Sequence, residues 1–300
     1  MKWNKIERIF ESQKISNTLY SHAANPLAIL LHGDIYRIFY SCRDSQNRSS
    51  VSYIDYNIKN LEVIYIHKEP IFSFGNSDTF YSHGVSIGSS YSIHGDEYLL
   101  FMGWQVREGE HWRGDIGRIL LKNNYECVLE PQDAFLGIDG EDPISLSYSW
   151  IMNDEGLYKM WYGSTVKWDI GNGEMLHIIK YATSKDGNVW QRHGQAVPYI
   201  IGEAQAFSRP TVFKDNQIYH MFFSYRGAPP MKYRIGYAVS SDGIQWTLKN
   251  EKVGIDVSSS GWDSEMICYP SIFEHKGEHY MLYNGNGYGK TGFGLAVLEK

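Results

Sequence analysis

Carboxyl side chains stand just ahead of three strand-like segments of this sequence: Glu141 and Asp142 in an Asp-Pro step, Glu203 shortly before Phe207, and Asp263 with Glu265 in GWDSEMICYP. Two carboxyl groups do acid–base work when the surroundings keep one protonated and the other ionised, and cleavage of a glycosidic bond needs such a pair flanking the anomeric carbon. Glu265 is the expected proton donor, with Glu203 or Asp142 as its partner. Alternation along an extended segment puts Asp263 and Glu265 on one side. The alternative for each is a surface carboxylate or a loop-anchoring acceptor.

Binding groups accompany these acids. Arg209, fixed by Pro210, can clamp a carboxylate or phosphate with two parallel hydrogen bonds, or pair with Glu203 or Glu265. Arg226 in SYRG and Arg43 in SCRD follow the second strands of two repeated segments and widen a cationic mouth. Together with His22 and His83 they suit an acidic sugar or a sugar nucleotide. The chain holds 23 Tyr and 9 Trp; most fill core and strand faces, but an aromatic face also stacks on the C–H face of a sugar ring.

Several other chemistries lack their residues. His22, His83 and His177 are far apart and form no HxH or HExxH pattern, so no metal site is expected. A Ser, His, Asp triad is not expected. The Gly-rich NGNGYGKTGFG, Asn284 to Gly294, lacks phosphate-loop spacing and reads as a tight loop between strands, with Tyr288 and Lys290 available to a ligand. No cofactor is implied. Cys42, Cys127 and Cys268 are widely spaced and odd in number, which suggests buried thiols in a reducing compartment. The net charge of −6 comes with interspersed signs and no basic stripe, against a nucleic-acid partner. No run approaches a membrane span and the first ten residues do not read as a signal peptide, so a cytoplasmic protein without membrane contact is expected.

The elements that must position these groups form an internal repeat. Tyr-Ala-x-Ser-x-Asp-Gly-x-x-Trp occurs at Tyr181–Trp190 and again at Tyr237–Trp246, each time after a hairpin of aromatic strands. Weaker copies of the strand, turn, strand plan begin near Asn25, His83 and Tyr269, making five units. Such spacing fits four-stranded propeller blades. The expected fold is all-β, a five-bladed β-propeller forming one domain over 1–300. The fifth unit lacks a fourth strand, and Trp3–Phe10 is expected to supply it and cover an open edge, although Ile6–Gln13 also admits a helix. The Asp-Gly pairs build hairpin turns, and their Trp residues pack between blades. Residues opening each first strand would then share an axial funnel: His22 and Asn25, His83, Ser149 and Trp150, Arg209, and Tyr269.

Through SRPTVF with YHMFFSYR, and YPSIF with YMLYNGNG, nearly the whole chain resembles the five-bladed propeller glycosidases of the arabinanase, levansucrase and invertase superfamily, glycoside hydrolase families 43 and 32. That resemblance implies an Asp opening the first blade as nucleophile or base, a second Asp as stabiliser and a Glu as general acid. Here Asn25 stands before Pro26 where the first Asp is expected, and an amide is neither base nor nucleophile. The function expected is cleavage or transfer of a glycosyl group on an intracellular oligosaccharide or an activated, acidic sugar. The alternative is a non-catalytic carbohydrate-binding propeller that has lost the first-blade carboxylate.

Overall fold

Short runs of aromatic and β-branched residues, broken by Gly, Asp and Asn turns, favour strands over helices throughout. The computed structural model describes residues 1–122 and 126–299. Strand accounts for 55% of the chain and helix for 2%, so the all-β expectation holds.

Five groups of strands follow one another. The first comprises β2 (Ser21–His32), β3 (Ile35–Arg43), β4 (Ser49–Asn57) and β5 (Glu62–Ile66); the second β6 (Gly84–Ile93), β7 (Asp96–Val106), β8 (Trp112–Leu121) and β9 (Cys127–Leu129). The third contains β10 (Leu146–Asp154), β11 (Leu157–Lys167), β12 (Leu176–Ser184) and β13 (Gln191–Gln195); the fourth β14 (Ala206–Asp215), β15 (Ile218–Arg226), β16 (Arg234–Ser240) and β17 (Thr247–Leu248). The last holds β18 (Cys268–His275), β19 (Glu278–Asn284) and β20 (Phe293–Leu298), completed by β1 (Trp3–Phe10) in the order β1-β20-β19-β18. Groups one and two join through one parallel pair, Ser49 with Gly84, and groups three and four through another, His177 with Ala206.

The N-terminal segment is therefore a strand, antiparallel to β20 from Trp3 opposite Leu298 to Phe10 opposite Phe293. Gly292 makes this possible: its φ is +95° and a Cβ there would lie 1.9 Å from the Phe10 carbonyl oxygen. Phe10 is buried, with its ring 5.2 Å from that of Tyr40 and 5.9 Å from that of Phe293.

The chain divides into two compact units, one of Met1–Ile87, Gly103–Trp112 and Gly254–Lys300, the other of Gly88–Met102 and Arg113–Val253. The first unit buries a core of Ile9, Phe10, Tyr40, Ile54, Leu282 and Phe293 among others. The second has two cores, one around Trp161, Phe223 and Trp246, the other around Tyr91, Leu100 and Tyr162.

The Asp-Gly repeats are turn chemistry. Asp186 Oδ1 accepts the Asn188 and Val189 amides, both at 2.9 Å, and Asp242 Oδ1 accepts those of Ile244 and Gln245 at 2.8 and 2.9 Å. Ser184 and Ser240 each take the following Gly amide at 2.8 Å. Trp246 is buried and its Nε1 donates to the Gly243 carbonyl, so the carboxylates of the repeat are spent on the scaffold.

Candidate functional site

Three first strands carry the same irregularity. Asn25-Pro26, Arg209-Pro210 and Tyr269-Pro270 all fall where the ladder to the second strand slips, between Ala24 and Leu27, Ser208 and Thr211, and Cys268 and Ser271. Proline removes a ladder donor and a bulge absorbs the extra residues. The residue before each proline is left-handed, with φ of 57° at Asn25, 48° at Arg209 and 56° at Tyr269. Such conformations cost about 1–2 kcal/mol for residues with a Cβ and concentrate where a side chain must be re-aimed.

In the first unit these bulges gather a polar group. Asn25 is 3% exposed and its backbone N–H donates to Asn284 Oδ1 at 3.1 Å, which fixes the Asn284 amide with its nitrogen pointing the other way. Among the described residues no group accepts a hydrogen bond from Nδ2 of Asn25 or of Asn284, although both atoms are buried. Gly289 lies over them: a Cβ there would be 3.0 Å from Asn284 Nδ2 and 2.6 Å from the Ala23 carbonyl oxygen. Gly289 closes the turn Asn286–Gly289, in which Tyr288 is itself left-handed and 36% exposed, with its ring 6.4 Å from that of Tyr269. Asn286 of that turn anchors the preceding loop, its Oδ1 accepting the Glu265 and Met266 amides at 2.8 and 3.1 Å.

His22, also left-handed, has its Nδ1 3.1 Å from Ser21 Oγ. Burial, then the positive charges of Arg43 and Lys290, push its pKa from 6.5 down to about 4, so the ring is neutral at pH 7. The structure thus brings together His22, Asn25, Tyr269 and the Glu265 loop with Asn284, Tyr288 and Lys290. His83 precedes β6, packs at 5.9 Å from the Trp104 ring and accepts the Val106 amide.

Asp263 and Glu265 do not share a side. The segment is a turn rather than a strand, so alternation does not apply; Asp263 is buried against Lys5 Nζ at 2.6 Å and Tyr283 Oη at 3.3 Å, while Glu265 is exposed. Asp263 is thus held by an ammonium from the N-terminal strand rather than offered to a ligand.

The remaining candidates belong to the second unit. Asp142 is 1% exposed and committed on both oxygens, to Lys180 at 2.7 Å, Arg192 at 2.5 Å, Tyr162 at 2.9 Å and Ser164. Burial raises its pKa, but Lys180, Ser164 and Arg192 outweigh that and hold the carboxyl below its usual range. It is built as an anchor. Beside it His177 is buried between Ser147 Oγ at 2.6 Å and Thr165 Oγ1 at 2.8 Å, its pKa pushed down to about 4 chiefly by burial.

Arg209 is 1% exposed, and its Nη2 donates to the Gly88 carbonyl at 3.0 Å, beside the Ser89 hydroxyl bonded to the Ser149 carbonyl. The first strands β6, β10 and β14 are thereby laced together. Arg226 grips Glu174 with two contacts of 2.6 and 3.0 Å and lies 4.7 Å from the Tyr233 ring, so its fork is already filled. Trp150 packs on the Trp161 core and pairs across from Trp161, because a bulge between Ser147 and Ser149 shifts the strand's facing. Glu203 is exposed at a separate cavity of about 520 Å³ lined also by Ile200, Met231, Leu248 and Glu251.

Among the described residues no three His, Cys, Asp or Glu side chains gather to hold a metal, and no helix is long and apolar enough to cross a membrane. Sequence reasoning missed Asn284. Its signal was the register: Cys268 faces Asn284 where Ala24 faces Ser41 and Ser208 faces Ser224, so one hairpin carries an amide where two others carry a hydroxyl.

The fold has solved counterparts. A protein described as a glycoside hydrolase superposes with a TM-score of 0.73 at 15% identity, covering 98% of this chain and 91% of that one. A structure from work on the GH130 family of mannoside phosphorylases, which contains hydrolases that target β-1,2 mannosidic linkages in Candida mannan, gives 0.73 at 12% identity over 99% and 93%. A thermostable family-43 glycoside hydrolase gives 0.68 at 15% identity over 92% and 88%. At these identities the likeness is one of fold, shared with proteins described as glycoside hydrolases. No family model matches the chain. Over 301 residues and 100% of both chains it is 40% identical to uncharacterized protein Rv1502 of Mycobacterium tuberculosis H37Rv, and likewise to uncharacterized protein MT1551 of strain CDC 1551. The chain belongs to the family of these two mycobacterial proteins.

Proposed function

We propose that the protein is a carbohydrate-active enzyme that cleaves or transfers a glycosyl group, with its sugar held in the first unit by His22, Asn25, Tyr269, Asn284 and Tyr288. The observation that carries this reading is the convergence of bulged, left-handed first strands and an exposed aromatic turn on two buried amides whose Nδ2 atoms no protein group satisfies. A sugar hydroxyl is an acceptor of the right kind for such donors, and a tyrosine face suits the ring above it. The glycoside hydrolase fold of the structural neighbours supports the same reading.

Glu265 is the proton donor in this proposal. It is exposed, its backbone is tied to the Asn286 turn, and Asp263 two residues earlier is already paired with Lys5. Turnover of a panel of nitrophenyl glycosides and sugar nucleotides tests it. Glu265→Gln should lower kcat by about 100-fold or more, the usual worth of a general acid, with unchanged melting temperature. Turnover equal to that of the parent would sink the assignment.

One observation favours a second reading. Asn25 stands where the resemblance to propeller glycosidases implies an Asp, and it bonds to the Asn284 amide with a neutral imidazole in the same cluster. A binder without catalysis fits that set. Sugar binding abolished by Tyr288→Ala, with no turnover of any panel member, would decide for it.

A further inference from the structure

The amide at position 25 has a consequence for what the same site accepts. Several cations of the first unit reach a carboxylate: Lys5 pairs with Asp263, Arg37 with Asp55, Arg48 with Asp44 and Lys276 with Asp34. Two beside His22 do not. The side chain of Arg43 donates to the neutral Asn47 amide at 2.7 Å, and Lys290, exposed after the Tyr288 turn, makes no ion pair among the described residues.

Two buried N–H donors complete the set. Asn25 and Asn284 are 3% and 0% exposed, the Asn284 amide is fixed by the Asn25 N–H, and among the described residues neither Nδ2 atom finds an acceptor. Unpaired buried donors cost free energy unless something accepts from them. An Asp at 25 would put a negative charge among these donors; Asn keeps the shape, removes the charge and turns an acceptor into a donor.

Building on the proposed carbohydrate site, we propose that it selects a sugar carrying an anionic oxygen group, a carboxylate or a phosphate, received by Asn25 Nδ2, Asn284 Nδ2, Lys290 and Arg43. His22 stays neutral beside it, so its ring can donate to or accept from a neighbouring hydroxyl. Two carboxylates of the same unit, Asp44 and Asp263, are neutralised by Arg48 and Lys5, and Glu265, the proposed proton donor, carries no charge while it holds its proton.

Calorimetric titration of the full chain with glucose, glucuronate, glucose 6-phosphate and inorganic phosphate, each to tens of millimolar and at low and high salt, tests this. Glucuronate or glucose 6-phosphate should bind about tenfold or more tighter than glucose, the preference weakening with salt as for any partly exposed charge pair. Which of the two wins separates carboxylate from phosphate. Lys290→Gln, an exposed change that leaves the core alone, and Asn25→Asp should each erase the preference. The proposal is overturned if the preference survives both substitutions, or if neither charged sugar binds. Glucose binding that Tyr288→Ala abolishes, with no gain from charge, defeats the anion proposal and leaves the carbohydrate reading standing. Phosphate binding lost in Lys290→Gln, with no sugar bound, overturns both the carbohydrate reading and the anionic-sugar proposal.

Discussion

Two polar clusters sit beside first strands in this molecule, and they are finished to different degrees. In the second unit Asp142, Tyr162, Ser164, Lys180 and Arg192 satisfy one another, and His177 has a hydroxyl on each ring nitrogen. In the first unit Asn25 and Asn284 leave donors unanswered, Lys290 leaves a charge unanswered, and Tyr288 is exposed in a left-handed turn. A saturated network in low dielectric rigidifies; an unsaturated one is held open for something else. Burial and polarity look alike in both, so it is the completeness of hydrogen bonding that separates scaffold from candidate site.

The largest expected effect tests the scaffold half. Asp142→Ala takes the buried carboxylate from Lys180 and Arg192 and leaves Arg192 its pair with Asp139, and breaking a buried pair costs about 3–5 kcal/mol. Denaturant unfolding should show that loss. A variant as stable as the parent would mean that the network is not the anchor its geometry describes, and would return Asp142 to the catalytic candidates.

A somewhat smaller effect comes from His177. Its folded pKa of about 4 lies below the ordinary 6.5, so the unfolded chain takes up a proton that the folded one refuses. The resulting stability is complete above pH 6.5 and is lost as pH falls from there to 4, about 3 kcal/mol at most for one such group. Unfolding measured across that window should slope steeply in the parent and less in His177→Gln. His22 shifts in the same direction but is only half-buried, so His22→Gln should change the slope less; the opposite ranking would reverse the contrast between sealed and open clusters.

Much of this was legible beforehand where the signal was local. X-Pro steps at Asn25, Arg209 and Tyr269 marked the first strands, the Asp-Gly pairs marked turns, and the missing partner of β20 pointed to Trp3–Phe10. Non-local pairing was not legible. Asp263 finds Lys5 from the opposite end of the sequence, Asp142 finds Lys180 and Arg192 from two later strands, and Trp150 turns to the core because one bulged residue reverses the strand's faces. Regular alternation and spacing encode none of these contacts.

The smallest effect probes the open cluster without touching its amides. Tyr288 holds φ at 60° while 36% exposed, a conformation that a glycine adopts without steric cost. Tyr288→Gly should leave unfolding free energy unchanged or raise it by up to about 1 kcal/mol, the relief of left-handed strain being partly offset by the greater freedom of the unfolded chain. Sugar affinity should fall in the same variant. Stability gained where binding is lost is the signature of a residue kept in strain for a ligand; a clear loss of stability instead would mark the Tyr288–Tyr269 contact as packing and place this cluster with the scaffold.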